Sequence, residues 1–130
     1  MGAVRELRLA LTVDDFEAAL AFYRDALGLE QLEVWDSDSG RVVLLGAGKA
    51  RIELLDERHA AAVDTIEVGR RVAGPIRLAL EVDDSSASAE RLTEAGAELL
   101  GGPVETPWRD RNVRLRAPDG MQLTLFTVLD

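Results

Sequence analysis

Arg8-Leu-Ala-Leu-Thr-Val-Asp-Asp15 and Arg77-Leu-Ala-Leu-Glu-Val-Asp-Asp84 are nearly the same eight residues written twice, at a constant offset of 69 positions. Only Thr12 and Glu81 differ, and the match continues more weakly through Ala18/Ala87 and Ala26/Ala95. A period of about half the chain denotes two copies of one supersecondary unit, because solenoid repeats are shorter and more numerous. Each copy opens on an apolar alternation that suits a strand, Leu7, Leu9, Leu11, Val13 and then Ile76, Leu78, Leu80, Val82. The Asp pair that follows is a helix N-cap signal. Phe16, Leu20, Tyr23 and Leu27 fall on one helical face, which reads Tyr23 as core, and Gly28 follows as the cap. Ala89, Leu92 and Ala95 form a thinner stripe ending at Gly96.

Three strand-like runs follow each helix. In the first copy they are Leu29–Trp35, Arg41–Leu45 and Ala50–Leu55, separated by turns at Ser37-Asp-Ser-Gly40 and Gly46-Ala-Gly48. In the second they are Ala97–Leu100, Val113–Arg116 and Gln122–Val128, with Pro118-Asp-Gly120 as a hairpin turn. The order is β-α-β-β-β, twice, within one domain of 130 residues. The first unit spans 1–56 and the second 76–130. Residues 57–75 are polar, end in Gly74-Pro75 and read as a linker with one helical turn around His59–Val63.

The chain has 24 acidic and 15 basic residues, a net charge of −9. Nucleic acids and anionic membrane surfaces call for clustered Lys and Arg, so both are excluded as partners. An acidic surface keeps the chain soluble and favours a cationic ligand. The absence of cysteine rules out a disulfide scaffold, a thiolate metal site and a cysteine nucleophile. Met1–Leu11 carries Arg5, Glu6 and Arg8 where a signal peptide needs an apolar core. No apolar run approaches the length of a membrane span. The expected location is the cytoplasm.

Three stretches carry a family resemblance. They are Val13-Asp-Asp-Phe-Glu-Ala-Ala-Leu-Ala-Phe-Tyr-Arg-Asp-Ala-Leu-Gly28, Trp108-Arg-Asp-Arg111 and Ala117-Pro-Asp-Gly-Met-Gln-Leu-Thr124. Together with the paired units, they resemble the vicinal oxygen chelate superfamily, the glyoxalase/bleomycin-resistance/dioxygenase fold. That resemblance implies an α+β fold in which two tandem βαβββ units form cupped mixed sheets around a ligand cavity. It also implies a homodimer. Metal-dependent members of the family place a His, Glu or Gln ligand on the first and last strand of each unit.

Carried over one position at a time, those four sites fall on Arg8, Glu53, Arg77 and Thr124. Only Glu53 keeps a metal-binding side chain. A guanidinium has no lone pair to offer, and two of them repel a cation. No metal and no cofactor are therefore expected. Buried charge needs compensation, so Arg8 and Arg77 are expected to be held by Glu53 and Glu81. Such a cluster is either a structural ion pair or a site for a carboxylate, phenolate or quinone oxygen.

Trp35, Trp108 and Phe126 offer flat apolar surface to a planar ligand, the alternative for the two tryptophans being cover for the core or a dimer interface. Trp108 with Arg111 resembles a Trp-x-x-Arg stretch of antibiotic-binding members. The ligand-binding candidates are thus Arg8, Trp35, Glu53, Arg77, Trp108, Arg111, Thr124 and Phe126. His59 reads as an exposed linker residue, with a general-base role as the alternative. Gly46-Ala-Gly48 is a turn between strands, not a phosphate cradle.

The expected function is a metal-independent small-molecule binding protein that sequesters an aromatic antibiotic or metabolite. The alternative is a lyase, isomerase or dioxygenase of the same fold with a degenerate or metal-free site. A third reading is an accessory domain without a ligand.

Overall fold

The computed structural model describes residues 4–130. The first unit runs β1 (Glu6–Thr12), α1 (Phe16–Leu20), β2 (Glu30–Ser37), β3 (Gly40–Ala47) and β4 (Ala50–Leu55). After α2 (Glu57–Glu67) comes the second unit, β5 (Ile76–Glu81), α3 (Ser85–Glu94), β6 (Glu98–Glu105), β7 (Asp110–Arg116) and β8 (Gln122–Val128). All eight strands join one mixed sheet in the order β2-β3-β4-β1-β5-β8-β7-β6. Within each unit the first and last strands pair in parallel, β1 with β4 and β5 with β8. The units meet through antiparallel pairing of β1 with β5, which sets Arg8 opposite Ala79 and Ala10 opposite Arg77.

Strand periodicity then sorts the side chains. One face carries Leu11 and Val13 against Phe16, Leu20, Val43, Leu45 and Leu54. Its counterpart in the second unit packs Leu80 and Val82 with Ala89, Val113, Leu115 and Leu125. Leu45, Leu54 and Leu115 have no exposed surface, and each such burial contributes roughly 1.5–3 kcal/mol. The other face carries Arg8, Ala10, Arg77 and Ala79. The two Asp pairs cap as their pattern requires: Ala18 N–H donates to Asp15 Oδ1 at 3.0 Å and Ala87 N–H to Asp84 Oδ1 at 3.1 Å.

The first helix departs from its expected stripe. Beyond Leu20 it widens into a π-helical stretch, Ala21–Ala26, and Leu27 N–H donates to the Phe22 carbonyl five residues back. The wider turn shifts the phase of the stripe. Tyr23 stays packed on the core, but Leu27 and Phe22 are exposed.

The expected linker is corrected more substantially. In place of a single turn, α2 is eleven residues long, capped by Asp56 Oδ1 on the His59 N–H at 2.8 Å. It lies against β3, β4, β6 and β7, and it buries Asp64 and Glu67. Both carboxylates meet Arg114 of β7, at 2.8 Å from Asp64 Oδ1 and 3.0 Å from Glu67 Oε1. Asn112 Nδ2 donates to Glu67 Oε2 at 2.8 Å, and Arg114 also donates to Gln122 Oε1 at 3.0 Å. Gly101 lets β6 pass the end of this helix, since a Cβ there would sit 2.0 Å from the Glu67 carbonyl oxygen. No helix among the described residues is long and apolar enough to cross a membrane.

Arg114→Met would strip buried Glu67 of its cation and leave Asp64 with Arg71 alone, 2.9 Å from its Oδ2. A loss of about 3–5 kcal/mol is expected, read from urea unfolding at neutral pH. Burial pushes the Asp64 carboxyl up, but the N–H groups of Ala73 and Val72 and the Arg114 guanidinium outweigh it and hold the carboxyl below its ordinary value. A depressed carboxyl stabilises the fold above the unfolded value, about pH 4, and that contribution is lost on acidification. The wild type is therefore expected to lose stability below about pH 4, and Asp64→Asn to flatten the loss. A variant as stable as wild type contradicts the network.

Candidate functional site

A cavity of about 490 Å³ lies between the arginine-bearing face of the sheet and α2, within the size range of small-molecule sites. Arg8, Trp35, Glu53, Arg77, Trp108, Thr124 and Phe126 all line it. Arg111 does not. It lies out of phase with Asn112, which faces the cavity, and its side chain is exposed. Its carbonyl accepts the Ser85 hydroxyl at 2.8 Å on the far side of β7. His59 is also corrected: as part of α2 it lines the cavity, half-buried. Burial holds its imidazole below the usual value, against the pull of Glu53, so the ring is neutral at pH 7. Among the described residues its buried Nδ1 has no hydrogen-bond partner.

The two arginines at the repeated position are compensated differently. The Arg8 guanidinium meets Glu6 through Nε and lies 3.8 Å from Glu53 Oε2. It also sits 5.0 Å above the centre of the Phe126 ring, within cation–π range. Arg77 is 8% exposed, and its Nη1 donates to the Thr124 hydroxyl at 3.1 Å. Among the described residues no carboxylate oxygen lies within 4.0 Å of it. The expected clamp of both arginines by Glu53 and Glu81 is thus formed only between Glu53 and Arg8.

Several cavity residues are not among the sequence candidates, and Asp110 carries the most chemistry of them. Asp110 opens β7 and accepts the Trp108 indole N–H at 3.1 Å. Arg109, at φ +69°, closes the turn that brings Trp108 and Asp110 to the cavity, and Asp110 N–H donates to Thr106 Oγ1 at 3.0 Å. Burial pushes the Asp110 carboxyl up to about 6; Arg8 and the Trp108 N–H oppose the rise, and Glu81 and Glu53 add to it. The only sequence signal for this residue was an acid two places after an isolated tryptophan. The other additions, His59, Val63 and Ile66 of α2, were hidden by the linker reading.

The residues do not fit the divalent metal of metal-dependent relatives. Arg8 and Arg77 have no lone pair to donate. The Thr124 hydroxyl already serves both Arg77 and Arg114, each at 3.1 Å. Among the described residues no three His, Asp or Glu side chains are grouped to hold a metal ion.

Fold and cavity together define a cupped βαβββ pair with a ligand chamber. The chain belongs to the Glyoxalase/Bleomycin resistance protein/Dioxygenase superfamily, whose family model matches residues 7–125. It is 36% identical over 96 residues to an ethylmalonyl-CoA/methylmalonyl-CoA epimerase of Cereibacter sphaeroides, covering 72% of each chain. It is 25% identical over 127 residues to the uncharacterized protein YraH of Bacillus subtilis, covering 95% of this chain and 98% of that one. The crystal structure of methylmalonyl-CoA epimerase from Mycobacterium tuberculosis superposes with a TM-score of 0.69 at 21% identity, over 98% of this chain and 90% of that one.

Trp108→Phe removes the hydrogen bond that lowers the Asp110 carboxyl. Its titration midpoint, followed by carbon NMR of the side-chain carboxyl, is expected to rise above about 6. Glu81→Gln is expected to lower it. A midpoint unmoved by either change contradicts the assigned causes.

Proposed function

We propose that this chain is an isomerase-type enzyme that moves a proton at a carbon beside a carbonyl group, with arginines in place of a metal. The observation that carries this reading is Asp110, a partly buried carboxyl at about 6 lining the same cavity as Arg8 and Arg77. A group poised near the working pH is ionised enough to take a proton and acidic enough to give it back. The epimerase name of the Cereibacter sphaeroides relative supports the same class of chemistry.

In the proposed step, the Asp110 carboxylate takes the proton from the carbon next to the carbonyl. The C–H electron pair becomes the second bond of C=C, and the carbonyl oxygen takes the negative charge. That charge develops in the field of the guanidiniums, which are fixed before the reaction and need no reorganisation. Phe126, Trp35 and Trp108 supply flat walls for the planar enolate and limit water. Return of a proton to the carbon gives a carbonyl compound again, with its configuration open to inversion.

A second reading is binding without turnover. It is favoured by Trp35 and Trp108, which line the cavity while 43% and 41% exposed and so present indole faces to an incoming planar molecule.

Deuterium uptake separates the two. 2-Substituted acyl thioesters and 2-substituted β-keto acids, incubated with the protein in D₂O, are expected to gain one deuterium at C2, the carbon beside the thioester or carboxyl carbonyl. Asp110→Asn is expected to slow this by about 100-fold or more. The wild-type rate is expected to rise with pH through a midpoint near 6, the Asp110 value. Ligand-induced quenching of tryptophan fluorescence with no deuterium uptake would transfer the assignment to the binding protein.

A further inference from the structure

We propose that Arg77 is the anchor for a carboxylate on the small molecule this cavity takes, its guanidinium holding the two carboxylate oxygens. This deepens the proton-transfer reading by naming the substrate class; it needs the cavity to be the ligand site but does not need turnover.

Three guanidiniums come from strands around the cavity, and their surroundings differ in kind. Arg114 is fully buried between Asp64 and Glu67. Arg8 is held by Glu6 and Glu53. Arg77 is more than nine-tenths buried, lines the cavity and, among the described residues, has one hydroxyl for a partner. That hydroxyl is shared, since it also accepts from Arg114 Nε and lies 3.5 Å from Glu67 Oε1. It gives its single proton to Glu67 and its lone pairs to the two guanidiniums. A guanidinium has five N–H donors, so most of those on Arg77 are left for a ligand.

The repeat shows where the difference arises. In the first unit Ala10 of β1 is registered against Glu53 of β4; in the second, Ala79 of β5 is registered against Thr124 of β8. The position that gives Arg8 a carboxylate gives Arg77 a hydroxyl. Burial of an uncompensated cation is costly, and truncating a partner from such a pair is worse than never having built it. A ligand carboxylate supplies the missing charge, and its two oxygens match the guanidinium fork. A phosphate dianion fits less well, because Glu53 and Glu67 line the same cavity. The same cavity also has apolar walls from Val42, Leu55, Ala79 and Phe126. The ligand is therefore a carboxylate with a short apolar or planar body.

The test titrates the full chain with benzoate, benzamide and inorganic phosphate, reading tryptophan fluorescence and the Arg77 guanidinium ¹⁵N–¹H signal. Benzamide has the shape of benzoate without its charge. Benzoate is expected to bind at least tenfold more tightly than benzamide or phosphate and to shift the Arg77 signal. Arg77→Lys, which keeps the charge but loses the fork, is expected to weaken benzoate at least tenfold and leave benzamide unchanged. The wild-type ¹⁵N shift keeps the test open should that variant misfold. Equal affinities for benzoate and benzamide, tighter binding of phosphate, no detectable benzoate binding, or an unmoved Arg77 signal would each overturn the anchor. Arg77-dependent benzoate binding without deuterium exchange refutes turnover and leaves the anchor standing. Exchange without discrimination by charge does the reverse.

Discussion

The antiparallel pairing of β1 with β5 is the constraint on which the rest of the molecule depends. It joins two copies of the same strand so that Arg8 and Arg77, the first residues of the repeated octapeptide, emerge on one face of a continuous sheet. A slip of one residue would turn every side chain of a strand over. The arginines would then enter the leucine-rich layers beneath α1 and α3, and leucines would line the cavity. The cost of burying unpaired charge and exposing apolar surface holds the register. Ala10 and Ala79, both buried, keep the cavity floor low between the charged positions.

The second support is the charge cluster around Arg114. Without α2 the arginine face of the sheet would be an open trough. Asp64 and Glu67 fasten the helix over it, and the same helix then presents His59, Val63 and Ile66 to the chamber. The pairing is expensive to desolvate, and an apolar contact of the same volume could be as stable. A charged contact, though, is directional. It fixes the rotation of α2 about its axis, and with it the side chains that reach the ligand.

Most of the sheet could be read from the repeat and from strand alternation, because both are local consequences of backbone geometry. The Asp caps at 15 and 84 were legible for the same reason. What was not legible depends on partners distant in the chain. Asp64 and Glu67 look like the solvent face of a polar segment until Arg114, some fifty residues later, is known to meet them. Arg111 resembles a site residue by its distance from Trp108, but strand phase points it to the other side. Asp110 is brought to the cavity by a turn through Arg109 at positive φ, a conformation that the residue type does not announce. The π-helical stretch after Leu20 likewise broke a stripe that seven-residue spacing had suggested.

The four family ligand positions make a different point. We infer that the fold is kept while the chemistry at these positions is inverted, with guanidiniums where the family resemblance implies metal ligands. Arg8, already paired, shapes the field around Asp110, and Arg77 remains open to a ligand. The most direct test of that inversion needs no substrate. The protein is loaded with Mn²⁺, Co²⁺, Ni²⁺ and Zn²⁺ in turn, dialysed to equilibrium, and its metal content measured by elemental analysis. Far less than one metal ion per chain is expected with every cation. Close to one ion per chain, lost on replacing Glu53 with Gln, would contradict it and return the site to metal chemistry.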